Sequence, residues 1–96
     1  MPAAYLIGQI EVTDPAKYEA YRKQVPATIA KFGGEYLVRG GALLKLEGQD
    51  PPGRTVVLRF PSLEQAKAWY HSQDYAGPKQ IRQSASIGNV ILVEGV

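Results

Sequence analysis

The chain has 96 residues, of which 45% are hydrophobic and 21% charged, with a formal net charge of +2. This length suits a single domain over residues 1–96, and the composition excludes a disordered chain. The lack of cysteine excludes disulfides, iron–sulfur clusters and thiolate zinc sites. The sequence shows no basic region followed by an apolar stretch at its start, and no apolar run approaches the roughly 20 residues needed to span a membrane. We therefore expect a cytoplasmic protein that does not bind or span a membrane.

The first predicted elements are a strand and a helix. The segment Ala3–Val12 is rich in apolar residues that alternate between two faces, which is typical of a strand. Asp14 and Pro15 supply a helix cap and a first-turn proline, and apolar residues then recur every three or four positions up to Phe32. Pro26 removes one backbone hydrogen bond inside this helix, so we expect a bend or a break there.

The middle of the chain predicts a hairpin. A strand over Glu35–Arg39 is interrupted by Gly40–Gly41 and resumes over Leu43–Glu47. The segment Gly48–Gly53 contains two prolines and an aspartate and is the strongest loop signal. The next strand, Arg54–Phe60, again alternates between two faces.

The last part of the chain predicts a second helical connection and a final strand. Ser62 and Gln65 form a capping box ahead of a short helix that ends near Tyr70. After a turn, Pro78 is expected to open a further helical turn, and the final strand is predicted over Asn89–Glu94. The order βαββαβ predicts an α+β fold of the ferredoxin-like type, with a four-stranded antiparallel sheet.

One face of the predicted sheet has no helix to cover it, and its composition is mixed. Its expected members are Tyr5, Ile7, Val57, Ile91 and Val93, together with the polar residues Gln9, Glu11, Thr55 and Arg59. An exposed β-branched patch is a typical association surface, so we expect a homodimer. The alternative is a monomer with a partly wet sheet face.

Arg39 is the first candidate for a functional residue. An arginine in an apolar strand beside two glycines can hold a carboxylate or an enolate, or it can form a structural ion pair with Glu47. Glu47 is a candidate base if it is desolvated and otherwise a structural partner. Arg59 is a candidate ligand-binding residue, with an interface or surface role as the alternative.

His71 is the one histidine of the chain and the third catalytic candidate. It could move a proton, or it could simply interact with the carbonyl groups at a helix end. No spacing of ligands predicts a metal site, and neither a phosphate loop nor a dinucleotide fingerprint occurs. We therefore expect no metal and no cofactor.

Four aromatic residues are candidates for the wall of a ligand pocket: Tyr18, Tyr21, Trp69 and Tyr75. At their helical spacing they could equally form a core. Nucleic acid is not an expected partner, because the basic residues form no run and the strand Arg54–Phe60 lacks the interleaved aromatic residues that stack bases.

Several short motifs together resemble a family of unknown function. They are Asp14-Pro15 with Tyr18 and Tyr21, the run from Gly33 to Gly41, Glu47-Gly48, Phe60-Pro61-Ser62, Ala66 with Trp69-Tyr70, Ser72 with Tyr75, and Arg82. In combination they resemble an uncharacterised bacterial family in the dimeric α/β-barrel superfamily. The resemblance implies a ferredoxin-like subunit whose sheet pairs with a second copy to form a barrel. It implies no activity, since relatives in the superfamily include cofactor-free monooxygenases, haem-degrading enzymes, small isomerases and stress-response proteins.

Two functional hypotheses follow. In the first, the protein binds or acts on a small organic molecule, aromatic, anionic or enolic, with Arg39 as its anchor. This hypothesis predicts a preformed cavity and a strongly perturbed ionisable group. In the second, the protein is a non-catalytic dimeric module, structural or regulatory, and its core is filled and its polar groups satisfied.

Overall fold

The computed structural model describes residues 2–96. Along the chain its elements are β1 (Ala4–Val12), α1 (Pro15–Lys31), β2 (Glu35–Arg39), β3 (Arg54–Phe60), α2 (Leu63–Tyr70), α3 (Gln73–Ala85) and β4 (Ser86–Glu94). The strands form one sheet in the order β2-β3-β1-β4, and every neighbouring pair is antiparallel. This arrangement confirms the predicted α+β ferredoxin-like fold with a four-stranded antiparallel sheet.

The central strand β1 places the two faces of the sheet in different environments. Leu6 lies opposite Leu58 of β3 and Leu92 of β4, on the face that the helices cover. Ile7 lies opposite Val57 and Ile91 on the outer face, which confirms the predicted strand phases. The largest fully buried side chains lie in the layer between sheet and helices; they are Trp69, Tyr75 and Phe60.

Side-chain caps set the starts of the helices. The Asp14 carboxylate accepts a hydrogen bond from the Lys17 amide at 3.2 Å, ahead of Pro15 in the first turn of α1. Ser62 begins α2 in the predicted way, with its hydroxyl accepting from the Gln65 amide at 3.1 Å. Ser72 begins α3 by the same type of contact, which makes the second helical connection a pair of helices.

Two boundaries differ from the predictions. The predicted turn after Tyr70 is the cap of α3, so Pro78 lies inside that helix instead of opening it. The final strand begins at Ser86, three residues before Asn89, because Ser86 already pairs with Val12 of β1.

The predicted strand over Leu43–Glu47 was wrong, since this segment has no regular secondary structure and is exposed. The ladder between β2 and β3 ends near Gly40, whose amide donates to the Thr55 carbonyl at 2.9 Å. The returning chain beyond that point contains Pro51 and Pro52, which have no amide proton to donate to a ladder. The hairpin therefore opens into a loop.

Candidate functional site

A cavity of about 50 Å³ lies between the helical layer and the inner face of the sheet. Five predicted ligand-binding residues line it: Tyr18, Tyr21, Arg39, Trp69 and Tyr75. They come from α1, β2, α2 and α3, so the fold brings together side chains that are far apart in sequence. At roughly 10–15 Å³ for each water, the space corresponds to about three to five water molecules.

Trp69 forms the buried end of the cavity wall. Its indole Nε1–H donates to the Thr28 hydroxyl at 3.0 Å, and that hydroxyl donates to the Val25 carbonyl at 2.7 Å. The Trp69 ring lies 4.0 Å from the ring centroid of Tyr75 and 5.5 Å from that of Phe60. A tryptophan that is 1% exposed and fixed by both stacking and a hydrogen bond makes this wall rigid.

The hydroxyl of Tyr75 lies at the centre of a polar chain. It is 2.9 Å from the Tyr21 hydroxyl, and it accepts a hydrogen bond from Nε of Arg82 at 3.2 Å. Burial raises the pKa of the Tyr21 phenol far above its ordinary value, and the neighbouring Tyr75 adds to this effect. The Tyr21 phenol therefore stays neutral and keeps a proton for hydrogen bonding at physiological pH.

Arg82 keeps its positive charge in this half-buried position. Burial lowers the pKa of the guanidinium, but Tyr75, Tyr21 and Tyr70 together outweigh burial and raise it. In the same region burial raises the pKa of Tyr18 and of Tyr36, although the positive charges of nearby arginines act in the opposite direction. The polar end of the cavity thus combines neutral phenols with charged guanidinium groups.

A β-bulge directs Arg39 toward the cavity. Tyr36 lies opposite Leu58, the register then shifts, and Arg39 lies opposite Val56. In a regular strand two residues that are three positions apart point to opposite faces, whereas the extra residue of a bulge brings them to the same face. The guanidinium of Arg39 accordingly lies over the Tyr36 ring, 4.5 Å from its centroid.

Arg39 also compensates for the proline inside α1. Of the bend or break expected at Pro26, the helix excludes the break, since it continues from Pro15 to Lys31. Pro26 still has no amide proton for the carbonyl four residues earlier. That carbonyl belongs to Arg22, and Nη2 of Arg39 donates to it at 3.2 Å. The strand residue supplies the hydrogen bond that the helix cannot make.

Three predicted site residues lie away from the cavity. Arg59 is on the outer sheet face, 3.5 Å from the Glu35 carboxylate. Glu47 is exposed in the loop after β2, and no ion pair joins it to Arg39 among residues 2–96. His71 is exposed and ends α2, where its backbone amide donates to the Lys67 carbonyl at 3.0 Å.

Sequence reasoning did not select three other arginines that line the cavity, Arg22, Arg54 and Arg82. One available signal was helical spacing. Arg22 follows Tyr18 by four residues and Arg82 follows Tyr75 by seven, which places each arginine on the face of its aromatic partner. Arg54 begins a strand after a glycine and gave no comparable signal.

Two other classes of site find no support in the part of the chain that the structure covers. Residues 2–96 contain no group of three or more histidine, cysteine, aspartate or glutamate side chains placed to hold a metal ion. Among the same residues, no helix has the length and apolar character to cross a membrane.

The sequence matches the family described as a domain of unknown function, DUF1330, over residues 3–96. The chain belongs to that family. No protein with a curated description is significantly similar to it in sequence.

Solved structures share the fold at low sequence identity. RPA0582 of Rhodopseudomonas palustris, a protein of unknown function, aligns with a TM-score of 0.82 and 15% identity over 99% of this chain and 83% of its own. The methylated form of that protein aligns with a TM-score of 0.76 and 15% identity, over 99% of this chain and 82% of its own. SnoaB, a cofactor-independent oxygenase of Streptomyces nogalater, aligns with a TM-score of 0.62 and 14% identity, over 97% of this chain and 92% of its own. At these identities the likeness concerns the fold alone.

Proposed function

We propose that the protein binds a small organic molecule in the cavity between its helices and its sheet. The observation that carries this proposal is the convergence of Arg39, Tyr21, Trp69 and Tyr75 on one preformed space. Aromatic walls with a few polar groups that fix orientation are the usual make-up of a ligand pocket. The strongly raised pKa of Tyr21 is the kind of perturbation that clusters at functional sites.

The polar groups of the cavity suit a ligand with an anionic or enolic oxygen. Tyr21 and Tyr75 are hydrogen-bonded to each other, so one of their two hydroxyl groups can donate a hydrogen bond to such an oxygen, while Arg39 supplies a planar charged fork at the rim. The name of SnoaB describes a cofactor-independent oxygenase. We do not extend that activity to this chain, because a shared fold hosts unrelated functions.

The test is a thermal-shift screen of the purified protein against aromatic acids, quinones, polyphenols and haem. Binding to the folded state raises the melting temperature in a concentration-dependent way. We expect at least one class to do so, and we expect Arg39→Ala to abolish most of the shift. Lys23→Ala is the control, because it removes an exposed positive charge of α1 that does not line the cavity. If no class shifts the melting temperature, the proposal fails.

A second candidate function is a non-catalytic dimeric module. One observation favours it: among residues 2–96 every buried side-chain nitrogen and oxygen has a hydrogen-bond partner, as a purely structural core requires. Such a module would show no ligand-dependent stabilisation in the screen.

We also propose that the outer sheet face is covered by a second copy of the chain. Ile87, Ile91 and Val93 are 61%, 55% and 46% exposed there, which is unusual for β-branched residues in a strand. The ion pair of Arg59 with Glu35 provides both signs of charge on the same face. A two-fold interface needs this kind of self-complementarity, because each patch meets its own copy.

A further inference from the structure

Four guanidinium groups line the cavity without an accompanying carboxylate. They belong to Arg22, Arg39, Arg54 and Arg82, whereas none of the nine aspartate and glutamate residues lines it. Within residues 2–96, Arg22 is paired with Glu19 at 3.5 Å, and the other three arginines have no carboxylate within 4.0 Å. This region therefore has a positive charge that the protein itself does not neutralise.

Aromatic groups hold these arginines in place without cancelling their charge. The Arg54 guanidinium lies over the Tyr18 ring, 5.4 Å from its centroid, and Arg82 donates to the Tyr75 hydroxyl at 3.2 Å. A guanidinium has five N–H donors in a fixed plane. Only one donor of Arg82 has a hydrogen-bond partner, and Arg54 has none among the described side chains and backbone. Most of their donors are free for a ligand.

The charged groups converge on one end of the cavity. The Tyr18 and Tyr21 rings lie 5.3 Å apart, and the Tyr21 and Tyr75 hydroxyls lie 2.9 Å apart. Arg54 over the Tyr18 ring and Arg82 on the Tyr75 hydroxyl therefore belong to one aromatic cluster, which α1, β3 and α3 build together. A single small anion at this end would face both guanidinium groups.

The rest of the cavity wall is apolar. It is formed by side chains from the helices and from the inner face of the sheet, including Val25, Ile29, Leu58 and Val90. With about 50 Å³ available, this part accepts a short branched chain or the edge of one ring. A ligand that fills both parts has a charged head and a compact apolar body.

We propose that the cavity selects small organic carboxylates, with the carboxylate held by Arg54 and Arg82 and the apolar body against the inner wall. This inference rests on the proposed function and names its ligand class. Inorganic phosphate would also bind guanidinium groups, but it would leave the apolar wall without a contact.

The experiment compares acids with neutral molecules of the same carbon skeleton by isothermal titration calorimetry. The pairs are benzoate with benzyl alcohol and 3-methylbutanoate with 3-methylbutanol, measured at neutral pH, with inorganic phosphate as a third probe. We expect each acid to bind about tenfold or more tightly than its alcohol, because a hydrogen bond between a guanidinium and a carboxylate is roughly twice as strong as one between neutral groups. Arg54→Gln and Arg82→Gln should each weaken acid binding by about tenfold and leave alcohol binding unchanged. Lys23→Gln, at an exposed position of α1 outside the cavity, should change neither.

The outcomes separate this inference from the proposed function. Equal affinity for acid and alcohol, or acid binding that survives both cavity substitutions, would overturn the carboxylate assignment and leave the pocket standing. Tighter binding of phosphate than of either acid would overturn it as well. If no acid and no alcohol binds, the carboxylate assignment fails, and the thermal-shift screen decides whether the proposed function fails as well. Circular dichroism of each variant confirms that the comparison is made between folded proteins.

Discussion

Arg39 donates a hydrogen bond from Nη2 to the main-chain carbonyl of Arg22, at 3.2 Å. This carbonyl lacks its helical partner because Pro26, four residues later, has no amide proton. A proline in α1 and an arginine in β2 are thereby coupled across the rim of the cavity. The coupling fixes one end of Arg39 and leaves its other donors available to a ligand.

Replacing the proline should release Arg39 from α1. In Pro26→Ala the restored helical amide competes for the Arg22 carbonyl, and the free energy of unfolding should rise by up to about 3 kcal/mol. In the same variant Arg39→Ala should cost less stability than it does in the unmodified protein, where it removes a hydrogen bond of about 0.5–1.5 kcal/mol. Urea unfolding of the two single variants and the double variant measures this coupling.

The control for this cycle is Pro78→Ala, which removes a proline from inside α3, away from Arg39. It should leave the cost of Arg39→Ala unchanged. An identical cost of Arg39→Ala with and without Pro26 would show that the two residues are not coupled.

The hydrogen bond between Trp69 and Thr28 should be important for stability. Thr28→Val keeps the shape of the side chain and leaves the buried Trp69 indole N–H without its 3.0 Å acceptor, which should lower the free energy of unfolding by about 1–3 kcal/mol. Thr28→Ser retains the hydroxyl and should lose clearly less. Urea titration followed by Trp69 fluorescence measures both. A loss in Thr28→Ser as large as that in Thr28→Val would contradict the importance of the hydroxyl.

Alkaline pH should destabilise the fold through its buried tyrosines. Burial raises the pKa of Tyr18, Tyr21 and Tyr36 above the ordinary value of 10.0. Above pH 10 the unfolded chain therefore releases phenolic protons that the folded chain keeps, and stability falls as pH rises. For Tyr21 alone the slope should approach about 1.4 kcal/mol per pH unit.

The near-ultraviolet absorbance of phenolate follows this titration directly. The folded protein should still show incomplete ionisation well above pH 10, with the remaining tyrosines ionising only as the chain unfolds. Tyr21→Phe should reduce the loss of stability at alkaline pH. A full titration of all six tyrosines in the folded state would contradict the burial argument.

A charge on the outer sheet face should dissociate the proposed dimer. Ile91→Asp places a carboxylate in the exposed apolar patch of the outer face, opposite Ile7 of β1. Burying that carboxylate in an interface would be costly. We expect a shift from dimer to monomer in light scattering coupled to size exclusion. Ala68→Asp adds the same charge on an exposed position of α2 and should leave the dimer intact. A monomeric unmodified protein would contradict the assembly.

Much of the fold could be predicted because local signals and burial agree. Asp14 with Pro15 and Ser62 with Gln65 mark helix starts by chemistry that acts within one turn. The alternating pattern of β1 determines which residues face the helices, since a shift by one residue would expose the whole apolar set. These signals are contained in short segments and do not depend on the rest of the chain.

The predictions fail where the local structure depends on residues that are distant in the sequence. The segment Leu43–Glu47 has a suitable composition for a strand, but two prolines in the returning chain deny it a ladder. The side of the sheet on which Arg39 lies depends on a bulge in β2, and a single sequence does not predict that bulge. Arg54 reaches the cavity only because β3 lies beside α1 in three dimensions, where it meets Tyr18.

The most direct test of the central claim is methyl NMR of valine-labelled protein during titration with benzoate and with benzyl alcohol. Val25, Val56 and Val90 line the cavity, whereas Val57 and Val93 lie on the outer face of the same sheet. Ligand binding in the cavity predicts saturable shifts of the first set, with the second set nearly unchanged. Shifts confined to the outer-face valines, or no saturable shift for either compound, would contradict the claim that this cavity binds small organic molecules.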